Sequence, residues 1–424
     1  MNFKKKLCLL LFVCSLGNLK IAAAAEPKEA GYSGAEFKLL QILKDGVGGV
    51  YGLDNPRAVT VAADNSRVFV VSGDDNALAV FAADKHFTLS QNQVFKNTAS
   101  GINGLEGASA AALINHGEQV LVTGFYDGAL SVFSRRNNRY LLQETISDGL
   151  DYKLVFSGAS LGDKDSLGLL GAWEVISSND DKQILVAGYK SDAVSVFDVT
   201  ADNNIIFNHF VKTGMPAAGG LGNPVSLALS PSNEELFVLG FEKHRLTVFD
   251  RDKEGKLSAK QVLQQGVAGV EHFLNPQKIV VSPDGQFLYV ACSGSNALVV
   301  FRKGPNGRYA FLQAITDSGL GGGLKGAASL ALSPDGTRFY AAGEGDTGLL
   351  IFETRIGGGL KLLGRLPEEN SPIAELRGIS SINVSQDGRY LLLTAAKDDA
   401  LFVFKVMNTK HNRVNVCLKS PNCR

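Results

Sequence analysis

The chain holds 424 residues, 45% hydrophobic and 20% charged, which is ordinary globular material but too long for one compact core. Its 42 basic residues match its 42 acidic ones, and no clustered basic face marks a nucleic-acid surface. The first 25 residues carry Lys4, Lys5, Lys6 and Lys20 and no acid, which leaves 38 basic against 42 acidic residues, or −4, in the remainder.

The N-terminus reads as a secretory signal. A basic start precedes an apolar run from Leu7 to Leu16, and Ala22 to Ala25 offer an A-x-A site. The run is shorter than the ~20 residues of a membrane span. Cleavage after Ala24 or Ala25, no stable membrane span and a periplasmic or secreted destination are therefore expected. A lipid anchor on Cys14 is disfavoured because Val13 stands where such sites carry a small residue. The expected organisation is a signal at 1–25, a folded body at 26–406 and a tail at 407–424, where Cys417 and Cys423 could close a disulfide.

Residues 36–46, EFKLLQILKDG, form a strand-like run that returns in similar form at 139–149 and 308–317, each time after a different kind of block. That block is clearest at Phe273 to Phe301. Three apolar runs rich in β-branched and aromatic residues are separated there by Ser282-Pro283-Asp284-Gly285 and Ser293-Gly294-Ser295-Asn296. An antiparallel meander of strands A, B and C is expected, with the recurring run as a fourth strand, D. Seven copies align on their first and last residues: Leu53/Phe81, Leu105/Phe133, Leu169/Phe197, Leu221/Phe249, Phe273/Phe301, Leu324/Phe352 and Leu376/Phe404. Every pair is 28 apart, and the closing residues follow one another at 52, 64, 52, 52, 51 and 52. Such a period marks stacked repeats. The last meander lacks a D strand, whereas the first residues supply one without a meander. Both oddities vanish in an all-β, seven-bladed β-propeller of four-stranded antiparallel blades, closed by an N-terminal strand, Phe37 to Leu43, in the last blade.

This topology places the A to B turns on one face. The B to C turns and the D to A crossings build the other, around the channel mouth. The crossing between Phe133 and Phe197 carries 12 extra residues within 149–168, on the mouth face, where a protein or glycan partner would dock; the protein itself is expected to be a monomer. Charged residues just before strand A, Asp54, Glu106, Lys325 and Arg377, are expected to ring the mouth and grip a polar ligand. Of the histidines, His116 falls in an A to B turn, His86 and His209 on D strands and His244 in a B to C turn. Only Glu271-His272, in the crossing before blade 5, pairs an acid and a base on the mouth face, and this pair is the catalytic candidate. Asp74-Asp75 and Asp398-Asp399 suit Asx turns better than a metal, and Asp163-Lys164-Asp165 lacks the Gly and Glu of a calcium loop. With no P-loop, zinc spacing, nucleophile elbow or haem-attachment cysteines, neither a metal nor another cofactor is expected. Cys292 takes the strand position of Gly124, Gly188, Gly240 and Gly343 and reads as a small, buried, inert residue.

The run Ser282 to Ala291, continued by Gly294 to Phe301 and repeated at Ser333 to Tyr340, resembles the YVTN-type repeats of seven-bladed lactonase-like propellers, and the resemblance extends over residues 36–404. The Trp-Asp ending of WD40 repeats and the Gly-Gly doublets of kelch repeats are absent. The resemblance implies the fold. It also implies relatives such as cytosolic 6-phosphogluconolactonases and a muconate-lactonising enzyme that relies on His, Arg and Glu at its channel face. No local motif carries that set onto this chain, and export would separate it from a phosphorylated lactone. Seven structural repeats without a converging acid, base and nucleophile lead to the expectation of an exported binding or interaction propeller that is not catalytic. The alternative is a lactonase-like hydrolase or isomerase at the channel mouth, using Glu271, His272, Lys325 and Arg377.

Overall fold

Residues 37–150, 164–367 and 376–407 are described by the computed structural model, and in them each apolar run of the repeat becomes a strand. These residues hold 28 strands, numbered here in chain order, which pair into seven antiparallel sheets of four. The A strands of blades 1 to 7 are β2 (Pro56–Val61), β6 (Ala108–Ile114), β10 (Ala172–Ser177), β14 (Pro224–Leu229), β18 (Pro276–Val281), β22 (Ala327–Leu332) and β26 (Ile379–Val384). Each packs on the next, and β26 packs on β2, so the blades form a closed ring with the A strands around its axis.

Blade 7 joins the two parts of the chain as expected. Its β1 (Phe37–Lys44) pairs with β28 (Ala400–Val406), from Phe37 opposite Val406 to Lys44 opposite Ala400. The outer edge of β28 would otherwise present a row of unpaired N–H and C=O groups.

The fixed spacing of the repeat reflects its core. The residues that open and close the repeats are buried in every blade, as at Leu53 and Phe81 or Leu376 and Phe404. Strand B and the first part of strand C are buried, as in Gln119–Gly124 and in the opening residues of Ala129–Arg136, because a neighbouring blade covers each face. Between blades 1 and 2, Phe69, Val71 and Leu78 meet Leu105, Val120 and Phe133. Burying each such side chain stabilises the fold by about 1.5–3 kcal/mol. Cys292 belongs to this core, and burial pushes its thiol well up, in keeping with an inert residue.

The turn residues hold the blades in place. In Ser282-Pro283-Asp284-Gly285, the Ser282 hydroxyl donates to Asp284 at 2.5 Å and accepts the Phe287 amide at 2.9 Å. Each B to C turn reaches into the crossing before its own strand A. Asp127 accepts the Gly104 and Glu106 amides, and Asp346 and Asp398 do the same for Gly323 and Lys325 and for Leu376 and Arg377. The next position adopts the left-handed conformation at Asn76, Asp192, His244, Asn296 and Asp399, and their side chains staple the following blade. They accept the amides of Gly107, Asn223, Asn275, Gly326 and Asn55, respectively, at 2.6 to 3.0 Å. His244 fills the staple position through Nδ1, a structural role.

One sequence expectation needs adjustment here. His86 lies in the turn between β4 (Ala77–Ala83) and β5 (Leu89–Lys96) rather than on a D strand, because Asp84 captures the amides of His86 and Thr88 and bends the chain. Of the insertion, 151–163 lies outside the described residues, as do Cys417, Cys423 and the signal segment. The ends of the insertion are pinned. Asp148 accepts the Ser166 and Leu167 amides, and buried Asp165 accepts from Ser191 at 2.8 Å and Lys212 at 2.7 Å. Among the described residues, no helix is long and apolar enough to cross a membrane.

Candidate functional site

In all seven blades strand A skips one residue in its pairing with strand B, at the second position of the strand. The skipped residues are Arg57, Ser109, Trp173, Val225, Gln277, Ala328 and Ser380, and a bulge of this kind re-aims the side chain. Arg57 of blade 1 reaches Glu344 of blade 6 at 3.0 Å. A contact that leaves out blade 7 has to pass inside the ring, so this position faces the axis. Ser109 and Ser380 donate to the backbone of the adjoining A strands, at Ala172 and Pro56.

The mouth that these residues frame has two unlike halves. On blades 2 to 4 it is aromatic. Trp173 meets Phe125 edge-on at a centroid distance of 5.4 Å and lies 6.2 Å from Tyr189, and Phe125 and Tyr189 come from the B to C turns of blades 2 and 3. Phe241, in the matching turn of blade 4, packs with Trp173 and Tyr189 against the core that includes Val225. Gly171, at φ +66°, lets Phe125 approach, since a Cβ there would stand 3.2 Å from the ring and 2.9 Å from the Lys190 amide nitrogen. The Tyr189 hydroxyl donates to Glu242 at 2.6 Å; burial and this carboxylate push the phenol up. Lys190 lies 5.3 Å from the Tyr189 ring, and partial burial pushes its ammonium down against the pull of Glu242. On blades 5, 6, 7 and 1 the mouth is polar, with Gln277 donating to Ser293 at 3.4 Å, the Arg57–Glu344 pair and Ser380.

One residue further along strand A, an ion pair crosses the axis. Glu174 of blade 3 pairs with Lys278 of blade 5, and its other oxygen accepts the Leu227 amide of blade 4 at 2.6 Å. Ser226 and Ser381, at the same position, accept the Ile279 and Val59 amides of the next blade. The inward-facing N–H groups of the A strands thus find partners from their neighbours.

The residues nominated from sequence fall into two groups. Asp54, Glu106, Lys325 and Arg377 share one structural position on four consecutive blades, 1, 2, 6 and 7, where blades 3, 4 and 5 carry Leu170, Gly222 and Leu274. The polar half of the mouth is thereby extended outward. All four backbone amides are held by B to C turn carboxylates, and the Arg377 side chain also pairs with Asp398 at 2.6 Å. Glu271 and His272 are both exposed, with His272 at φ +55°. Gly52, which occupies the place of His272 in the first crossing, backs onto Ala77, Ala79 and Val94 of strands C and D. That part of the first crossing therefore lies over the outer half of blade 1. Sequence reasoning missed Arg57, Trp173, Phe125, Tyr189 and Glu344. For Arg57 and Trp173 the available signal was the fourth residue after each opening Leu or Phe, a column whose chemistry changes from copy to copy.

Comparison with known proteins gives the arrangement its context. The family described as lactonase, 7-bladed beta-propeller, matches residues 45–320 and 321–416. A 6-phosphogluconolactonase of Klebsiella pneumoniae is 26% identical over 190 residues, 44% of this chain and 54% of that protein. One from Enterobacter is 25% identical over the same length, so the chain spans about half the length of the curated relatives it matches. Among solved structures, a periplasmic gluconolactonase of Pseudomonas aeruginosa superposes with a TM-score of 0.58 at 18% identity, covering 73% of this chain and 85% of that one. A hydrazine synthase of Kuenenia stuttgartiensis does so with a TM-score of 0.59 at 16% identity, covering 85% and 98%. The ring of blades thus accompanies more than one chemistry. The family match and the lactonase relatives overturn the expectation of a non-catalytic binding propeller and favour its hydrolase alternative. That expectation rested on the lack of a local catalytic motif, yet a propeller draws its axial side chains from blades far apart in sequence. The chain belongs to the family of seven-bladed β-propeller lactonases.

Proposed function

We propose that the protein is an exported lactone hydrolase that works at the axial mouth. The supporting observation is the Arg57–Glu344 pair, an acid and a cation set against an aromatic wall. In this reading Glu344 takes a proton from water as the oxygen attacks the ester carbonyl, and the Arg57 guanidinium stabilises the oxyanion that forms. When the oxyanion collapses, the ring C–O bond breaks and the leaving alkoxide takes the proton back from Glu344, giving a hydroxy acid. Lys325 and Arg377 flank the polar side, and Glu271-His272 is the competing acid–base pair. Export is supported by the basic, apolar and A-x-A segments of residues 1–25, and the repeats are of YVTN type. A protein or glycan partner would meet the same face at the insertion.

A panel of lactones offered to the full chain tests this. Glu344→Gln should lower kcat about 10²-fold or more on the best substrate, with His272→Ala near the parent. Loss in His272→Ala with Glu344→Gln unharmed would move the chemistry to the crossing. An inert parent protein on every lactone would sink the reading.

A further inference from the structure

The first residue of each B to C turn holds one place in every blade. Its amide donates at 2.9 to 3.1 Å to the carbonyl of the residue just before strand A, from Gly73 to Asn55 on blade 1 through Ala396 to Gly378 on blade 7. What the place carries changes around the ring. It is Phe125, Tyr189 and Phe241 on blades 2 to 4 and Ser293 and Glu344 on blades 5 and 6, but only Ala396 and Gly73 on blades 7 and 1.

These turns lie against the following blade. A Cβ on Gly378 of blade 7 would stand 3.4 Å from the Glu344 carbonyl oxygen of blade 6, and on blade 2 the Phe125 ring reaches the bulge residue of blade 3, Trp173. By the same relation Ala396 of blade 7 stands next to Arg57, the bulge residue of blade 1, and Asp399 in its turn accepts the Asn55 amide, two residues before Arg57, at 3.0 Å. The Arg57 side chain has to cross this place to meet Glu344 of blade 6. A methyl group leaves the way open, whereas a ring like that of Phe125 would fill it. Ser380, the bulge residue of blade 7, is turned aside, its hydroxyl donating to the Pro56 carbonyl. On the other side of Arg57, a Cβ at Gly73 would stand 3.4 Å from Arg57 Cγ, so the stem runs close along that turn.

We propose that Ala396 is a positioning residue: its small side chain keeps a gap open at the axial end of blade 7, and in that gap Arg57 of blade 1 meets Glu344 of blade 6. The part this plays in turnover rests on the hydrolase reading above. The gap itself does not.

Crystal structures and kinetics of the full chain test this. Phe already stands at this place on blades 2 and 4, so Ala396→Phe should fold, and Ala396→Leu carries the same test if it does not. The variant structure should show the Arg57 guanidinium parted from the Glu344 carboxylate by more than about 4 Å. On the best lactone of the panel, Ala396→Phe should lower kcat about tenfold or more, and Ala396→Gly should stay near the parent. Adding Arg57→Ala to Ala396→Phe should cost little further, because both changes remove one interaction. The proposal is overturned if Arg57 still meets Glu344 in Ala396→Phe, or if the losses of Ala396→Phe and Arg57→Ala multiply in full. If the parent opens no lactone, the hydrolase reading falls and the crystal structure alone decides the gap. Arg57 displaced with turnover unchanged would uphold the gap and take Arg57 out of the chemistry.

Discussion

Asp54 stands where blades 7 and 1 meet. Partial desolvation, then the carboxylates of Asp399, Asp74, Asp75 and Asp45, push its own carboxyl up from 3.8 to about 6. The folded protein therefore holds this proton more tightly than the unfolded chain does. Ionisation costs stability progressively as the pH rises from about 4 to about 6, and the penalty persists above that. Asp54→Asn should be the more stable protein near pH 7, with the difference fading by about pH 4; parallel melting curves at both pH values would refute the shift. Asp54 and Arg377 were legible in the sequence because charge stands out in an apolar repeat. Trp173 and Arg57 were not, because nothing in one copy shows that its second strand residue is bulged toward an axis.

At the scale of the element, strand A and the turn above it act as one unit. The turn carboxylates were expected to close local Asx turns, but Asp74 accepts from the Asn55 side chain, 19 residues back. The stronger use reaches about 20 residues back, where Asp127 and its counterparts hold the crossing over strand A. Asp127→Ala would leave the Gly104 and Glu106 amides without that acceptor and should cost about 1–3 kcal/mol in chemical denaturation. A loss below about 0.5 kcal/mol would mean that water replaces the carboxylate. The crossing before blade 5 carries Glu271 and His272, both exposed, as an acid–base pair separate from Arg57 and Glu344.

For the whole molecule, the pairing of β1 with β28 is the step that makes the array a ring. Phe37 is buried and meets Tyr340 of blade 6 edge-on at 6.0 Å, so β1 ties blade 7 to its neighbour as well as covering an edge. Deleting residues 37–44 should lower stability by at least ~3 kcal/mol, since Phe37 alone contributes about 1.5–3 kcal/mol and the strand's hydrogen bonds add to it. An unchanged melting temperature would reject the closure.

By itself the amino-acid sequence determined the number of blades, their strand order and the joining of the first strand to the last. These follow from apolar spacing and turn chemistry, which act between residues close along the chain. Only the tertiary structure decided which side chains share the axis. Arg57 and Glu344 lie 287 positions apart, and Trp173 meets Phe125 across two blades; these meetings depend on ring closure and on a bulge repeated seven times, neither of which a single stretch of sequence encodes.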